Sequence, residues 1–254
     1  MKFFLALGLL LAFQSASALD AKGIEKFLED LRLRMCHPIE KLGLPALDPL
    51  SKKEMESFEL NVKDFLMVDG FARRFEMLGL SDFIINEIKF PSILRQNLVI
   101  DLTFPNTTFD SDYKANGTAG YVFPIDGRGD LRGHVSDVQI RIEAKVKIGL
   151  RIQISNFKLI FKVGEIYLFA ERLVPDERIN DFLHAVVNEL GLELLEYIWG
   201  EKHESLDKAI ESKINAYLKD KPLSEIIGGG SGEPIFGEDA PPPDCKPDWG
   251  VETK

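Results

Sequence analysis

The stretch GGGSGEP at residues 228–234 sets a serine between glycines, the outward form of a nucleophile elbow. Such an elbow works because a tight strand-to-helix turn strains and exposes the hydroxyl. Here no apolar strand precedes Ser231 and no helical pattern follows it, so it reads as a linker serine. The four histidines, His37, His134, His184 and His203, lack the His-Glu-x-x-His or other close spacing that would put two imidazoles on one metal. No glycine-rich phosphate loop follows a strand and opens a helix. Carboxylates are plentiful, and no pair is distinguished for acid–base work. Arg128-Gly129-Asp130 is a tripeptide that integrins read on loop tips, but Gly127 and Gly129 are accounted for as turn residues of DGRGDLRG. With no nucleophile, metal set or phosphate loop, the expectation is a protein that is not an enzyme and needs no cofactor.

The remaining reactive groups belong to secretory chemistry. Residues 1–18, MKFFLALGLLLAFQSASA, carry one lysine, an apolar run and an Ala-Ser-Ala cleavage pattern, which predicts a signal peptide and an extracellular mature chain. In that compartment a disulfide between the two cysteines, Cys36 and Cys245, is the default expectation, with two free thiols as the alternative. Asn106-Thr107-Thr108 and Asn116-Gly117-Thr118 are glycan acceptor sequons, so Asn106 and Asn116 are expected on an exposed loop. The net charge of −10 includes Lys2 of the leader and becomes −11 without it. Such a surface repels nucleic acid and anionic headgroups, and no later segment is apolar enough to predict integral membrane association.

These groups must be held by a fold that the hydrophobic pattern outlines. Ile24, Phe27, Leu28, Leu31 and Met35 recur at helical spacing over residues 21–35. Pro38, Pro45 and Pro49 then enforce an extended connector. Strand-like runs follow at residues 58–62, 83–90 and 98–104, then a Pro/Asn/Gly-rich stretch at 105–120 that reads as a loop, a short strand at 121–125 and the glycine-rich turn at 126–133. Residues 156–173 predict two strands broken near Gly164. After Pro175 the period becomes helical, predicting one helix to residue 199 and a second over 206–218. The Gly/Pro-rich acidic segment 228–254 predicts a disordered or lightly tethered tail. Helix, many antiparallel strands, then helices make an α+β plan.

Residues 138–154, VQIRIEAKVKIGLRIQI, alternate apolar and polar without a slip. At about 3.3 Å per residue this run is roughly 56 Å long, more than the roughly 45 Å diameter of a compact domain of this size. The unchanged parity predicts one long strand bent at Gly149, with an odd-numbered loop there as the alternative. Burying its dry face takes a matching apolar surface, which the helix after Pro175 offers, and a long helix in a curved sheet leaves elongated apolar cavities.

The segments MCHPIEKLGLPALDPL at residues 35–50 and GTAGYVFPIDGRGDLRGHVSDVQIRI at 117–142 give the chain its resemblance to a known family. Over residues 24–227 it resembles the insect takeout and haemolymph juvenile-hormone-binding proteins, and the related insect relatives of the mite group 7 allergens. The resemblance implies a tubular fold, with a long highly curved antiparallel sheet wrapped around a long C-terminal helix. It implies a single lipid-binding domain over residues 19–227 with 228–254 as a tail. The function it implies is a secreted carrier of a terpenoid, fatty acid or other lipid. The walls of the expected tunnel are Val138, Ile140, Ile142, Ile152 and Ile154, with Phe58, Leu60 and Val62, and Phe182, Leu183 and Val186 from the helix. Takeout-type members usually carry two nearby cysteines before the Gly-Leu-Pro block, whereas this chain has only Cys36 there, so that N-terminal disulfide is not carried over. The competing expectation is an extracellular interaction or immune-type protein that recognises a protein or microbial lipid surface with a filled core.

Overall fold

The structure, a computed structural model, describes residues 21–40, 44–54, 57–62, 66–89, 96–120, 122–148, 152–219, 236 and 240–245. The predicted leader, Gly149 and Ser231 lie outside the described residues. Helix α1 (Ala21–Arg32) forms on its apolar stripe, with Ile24, Phe27, Leu28 and Leu31 all buried. The proline-bounded connector tucks beneath it. Leu44 and Leu47 are buried, and the N–H groups of Leu47 and Asp48 donate to the Met35 carbonyl at 2.7 and 3.0 Å. The Asp48 carboxylate in turn accepts from the N–H of Gly79 at 3.0 Å and of Ser81 at 2.7 Å, which holds the 3-10 turn Leu80–Asp82 against the connector. The LPALDPL block thus joins an apolar plug to a side-chain cap.

Among the described residues, eight strands make one antiparallel sheet: β1 (Leu50–Glu54), β2 (Phe58–Val62), β3 (Leu66–Leu78), β4 (Ile84–Lys89), β5 (Asn97–Ala119), β6 (Phe123–Ile148), β7 (Ile152–Lys162) and β8 (Glu165–Ala170). The order is β1-β3-β5-β6-β7, with β2 also on β3, β4 on β5 and β8 on β6. Three expectations change here. The glycan-bearing stretch 105–120 is the second half of β5, paired to β6 almost to its end, and is not a loop. The DGRGDLRG stretch is the interior of β6, not a turn, with Gly129 opposite Tyr113. Residues 138–154 form two strands rather than one bent strand, because Ile148 pairs antiparallel with Ile152. That pairing joins even to even, which is why parity alone could not separate a bend from a three-residue reversal.

The glycines of β6 serve cross-strand packing. A Cβ at Gly133 would fall 2.2 Å from the Phe109 ring, and one at Gly127 would fall 2.7 Å from the Tyr113 hydroxyl. Both glycines lie on the face that receives aromatic side chains from β5. Tyr113 spans this face to donate its hydroxyl to the Glu171 carbonyl at 2.8 Å. Burial, reinforced by the Glu171 charge, pushes its phenol up to about 12.

Irregularities at non-glycine residues curl the sheet. The β3–β5 register shifts between Arg73 and Glu76 at Arg74, φ 50°, and the β6–β7 register shifts opposite Asn156, φ 55°. Asp137, φ 50°, marks a coordinated change on β5 and β6: the buried apolar face is even from residue 98 to 104, where Val99 and Asp101 are covered from the other side, and from 138 to 146, and odd from 107 to 119 and from 125 to 133. Bulges of this kind let one long strand keep its buried side inward while it bends.

A single helix, α2 (Glu177–Lys219), replaces the two predicted. Its polar middle, GEKHES, contains no proline and continues the helix for 43 residues, about 65 Å. No helix among the described residues is long and apolar enough to cross a membrane. The described part of the tail is fastened to α1. Cys36 and Cys245 form a disulfide, Phe236 stacks on Phe27 at 5.4 Å, and Arg34 donates to the Pro241 carbonyl at 3.0 Å while lying over Phe236. His37 pairs with Asp244 at 2.7 Å, holding that carboxyl below the usual range.

Candidate functional site

The interior holds two separate apolar clusters. The larger gathers α1, the connector, Ile100 and Leu102 of β5, Val138, Ile140 and Ile142 of β6, Leu159 of β7, and Ile210, Ile214 and Leu218 of α2. The smaller lies toward the other end of the long strands and contains Val68, Tyr113, Ala115, Ile125, Ala170 and Leu183. Between them the inward positions of β5 and β6 include Thr107, Ser111 and Gly133, small groups that fill little volume. Thr107 and Ser111 are buried, and their hydroxyls donate to the carbonyls of Val135 and Arg73.

Helix α2 is held along the free edge formed by β7 and β8 through two ladders of polar side chains. On β8, Asn188 Oδ1 accepts from the Leu168 N–H at 2.7 Å and His184 Nε2 lies 3.1 Å from the Ala170 N–H, while Asn180 accepts from Leu173 at 2.9 Å. On β7, Asp207 accepts from Leu159 at 2.9 Å, Glu211 from Phe157 at 2.9 Å and Asn215 from Ile154 at 2.8 Å. Each trio recurs every four residues, so one helix face meets successive edge N–H groups. The ladders satisfy backbone donors that would otherwise leave an open sheet edge. Burial raises the Asp207 carboxyl above its ordinary value, against the opposing pull of the Leu159 N–H, His203 and Lys158.

Between the ladders, over the connection of β7 to β8, a cleft of about 360 Å³ opens between the helix and the edge. Phe161 and Val163 form one wall, and Leu192, Leu195 and Trp199 the other, with Lys162, Glu196 and His203 around them. Phe161 and Trp199 rings lie 5.4 Å apart, and the His203 ring stacks on Trp199 at 6.3 Å. Phe161, Val163 and Trp199 also pack on the larger cluster, so the cleft abuts the interior. Its volume lies in the range of small-molecule sites, and its lining mixes apolar side chains with the polar Lys162, Glu196 and His203.

The expected wall residues separate by position. Val138, Ile140, Ile142 and Ile154 are buried within the larger cluster, and Ile152 packs against it. Phe58, Leu60 and Val62 pair through β2 with Gly70, Val68 and Leu66, and their side chains lie outside the described residues. Leu183 belongs to the smaller cluster, Val186 is half-buried, and Phe182 is 56% exposed. The cleft residues were not singled out from the sequence. Trp199 and His203, four apart at the end of the apolar stripe, were the signal available, and only the β7–β8 connection brings Phe161 to them. Asn106 and Asn116 are both exposed on β5, with Asn106 Oδ1 3.2 Å from His134 Nε2. Cys36, His37, Asp244 and Cys245 have metal-ligand types within 4.8 Å, but both sulfurs are spent in the disulfide.

A patch on the opposite sheet face is structural. Asp101 is 5% exposed and lies beneath Arg141, which also reaches Glu87 and Glu143. Burial works to raise the Asp101 carboxyl, but bonds from Asn86, Gln139 and Arg141 outweigh it and hold the group below the ordinary range.

Comparison with known proteins bears on this geometry. The profile of the haemolymph juvenile hormone binding protein (JHBP) family matches residues 13–228. The crystal structure of Takeout 1 from Epiphyas postvittana superposes with a TM-score of 0.57 at 16% identity, covering 82% of this chain and 96% of that one. A crystal structure of lipopolysaccharide binding protein aligns with a TM-score of 0.36 at 13% identity over 78% of this chain and 40% of the other. A comparison with curated protein sequences finds no match. The Takeout 1 likeness carries the fold: a long curled antiparallel sheet with a long C-terminal helix.

Proposed function

The chain belongs to the haemolymph juvenile hormone binding protein family, and from that premise we propose that it is a secreted, non-enzymatic carrier of a hydrophobic small molecule held between α2 and the inward face of the sheet. One observation carries the reading. The apolar interior is divided into two clusters, and an aromatic-lined cleft opens from the surface against the larger of them. A packed enzyme core has no need of that division, whereas a carrier needs an apolar space with a way in. The even-numbered residues Val138, Ile140, Ile142 and Ile154, with Ile152 beside them, line the inward face at one end, and Leu183 and Val186 face the other from the helix. Carriage needs no cofactor, in keeping with the family's being named for binding a hormone.

The leader at residues 1–18 directs this carrier out of the cell, and glycans on Asn106 and Asn116 project from exposed positions of β5. The protein secreted from insect cells would be extracted with organic solvent and analysed by mass spectrometry. Binding of the uncharged probe N-phenyl-1-naphthylamine would be measured on delipidated protein. A lipid recovered in stoichiometric amount, or saturable probe binding, is the expected result. Neither would remove the carrier reading. Release of mass by N-glycosidase, lost in the Asn106→Gln and Asn116→Gln variants, tests the glycans.

A further inference from the structure

We propose that the cleft between the two ladders is a ligand site in its own right, and that its occupant is an uncharged amphiphile with one hydroxyl, an apolar alcohol rather than a fatty-acid anion. This rests on the carrier reading only in naming the class of molecule carried. The first support is placement. Between Asn188 and Asp207 the helix runs for about 28 Å, and among the described residues no side chain of that span bonds to the sheet backbone. The side chains turned to the sheet there are Leu192, Leu195 and Trp199, facing Phe161 and Val163. A helix that is zipped to its edge on both sides and apolar at the break leaves a slot that an acyl or terpenoid chain can fill.

The head group follows from hydrogen-bond bookkeeping. His203 Nδ1 lies 3.0 Å from the Trp199 carbonyl and 3.1 Å from that of Gly200. Carbonyl oxygens only accept, so Nδ1 carries a proton, and whenever the ring holds a single proton Nε2 is an acceptor with no protein partner among the described residues. A hydroxyl donates to that nitrogen, and a carboxylate has nothing to donate. The charges around the cleft lead to the same class. The lining holds one cation, Lys162, and one anion, Glu196, and the chain as a whole carries −10, so the cleft has no net positive charge to draw in an anion.

The experiment uses the full mature chain carrying Trp249→Phe, which leaves Trp199 as the only tryptophan. Its emission is followed on addition of 1-dodecanol, dodecanoate or dodecane. Dodecanol should bind saturably and at least about tenfold more tightly than dodecanoate, the worth of one hydrogen bond to the half-buried His203 acceptor. His203→Phe keeps the stacking on Trp199 and should bring dodecanol down to the level of dodecane. Leu195→Phe, which fills the slot, should weaken both, and circular dichroism shows whether each variant is folded. Dodecanoate binding as tightly as dodecanol overturns the proposal, as does tight dodecanol binding that survives His203→Phe. If lipid is recovered from the secreted protein while Trp199 never responds, the cleft proposal falls and the carrier reading stands. If no lipid is recovered and N-phenyl-1-naphthylamine does not bind, while Trp199 still reports dodecanol, the cleft site stands and the carrier reading falls.

Discussion

Asn215 offers the sharpest test of the idea that α2 is held by side chains bonded to a sheet edge. Its Oδ1 accepts from the Ile154 N–H at 2.8 Å and its Nδ2 donates to the Ile154 carbonyl at 2.7 Å. Ile154 is 6% exposed, so Asn215→Ala leaves a donor and an acceptor with restricted access to water. Each such group costs about 1–3 kcal/mol, and with partial hydration the pair should cost about 3 kcal/mol. For a domain of this size that lowers Tm by roughly 6–12 °C. Asn215→Asp separates the two bonds. The carboxylate still accepts from the N–H, but opposes the carbonyl until it is protonated. Its folded-state pKa is therefore raised, the native state binds more protons than the unfolded one between the two values, and stability rises as pH falls through that window. The assays are urea unfolding by circular dichroism from pH 4 to 8 and hydrogen exchange at the Ile154 amide. An Ala variant within about 0.5 kcal/mol of the parent, with Ile154 exchange unchanged, would refute the ladder as the source of the attachment.

Three further outcomes follow from the same packing. Replacing Cys36 and Cys245 together by alanine removes a cross-link spanning 209 residues and should cost about 2–5 kcal/mol in urea unfolding, with the segment around Phe236 becoming accessible to protease. Asp207→Asn keeps the acceptor for Leu159 while removing a carboxyl whose folded-state pKa burial has raised. The variant should therefore be the more stable at neutral pH, and its advantage should vanish as pH falls below the ordinary carboxylate value, read as converging Tm curves. Gly133→Ala drives a methyl group into the Phe109 ring and should cost about 1–3 kcal/mol. Phe109→Leu in the same chain should recover part of that loss, whereas a loss unrelieved by it would place the cause elsewhere.

How much of this was legible varied with the range of the interaction responsible. Helix α1, the first part of β5 over residues 98–104, the second half of β6 and β7 followed from local periodicity, because burial on one side imposes a repeat that neighbouring residues carry themselves. The LPALDPL block was legible as a resemblance, and its physical role emerged with the Asp48 cap. The disulfide was legible as the default state of two cysteines in an oxidising compartment, while the closeness of residues 36 and 245 was not. Gly127, Gly129 and Gly133 were misread as a turn. Local turn propensity competes with the pairing of β6 to β5 along its length; Gly127 and Gly133 are there because Tyr113 and Phe109 cross that face, and Gly129 because its φ of 140° and the Glu171 side chain leave no room for a Cβ.

The sequence alone settled that the chain alternates and that helical periodicity follows the strands, since these are properties of adjacent residues. Tertiary structure decided where the ladders stop. Asn180, His184 and Asn188, then Asp207, Glu211 and Asn215, read as a solvated helix face, because the backbone N–H groups they bind exist at every residue and leave no mark in a sequence. Only the reversal between β6 and β7, and the break between β7 and β8 at Gly164, determine which edge groups are free and where the helix has nothing polar to bind. The cleft lined by Phe161, Leu195 and Trp199 lies at that break.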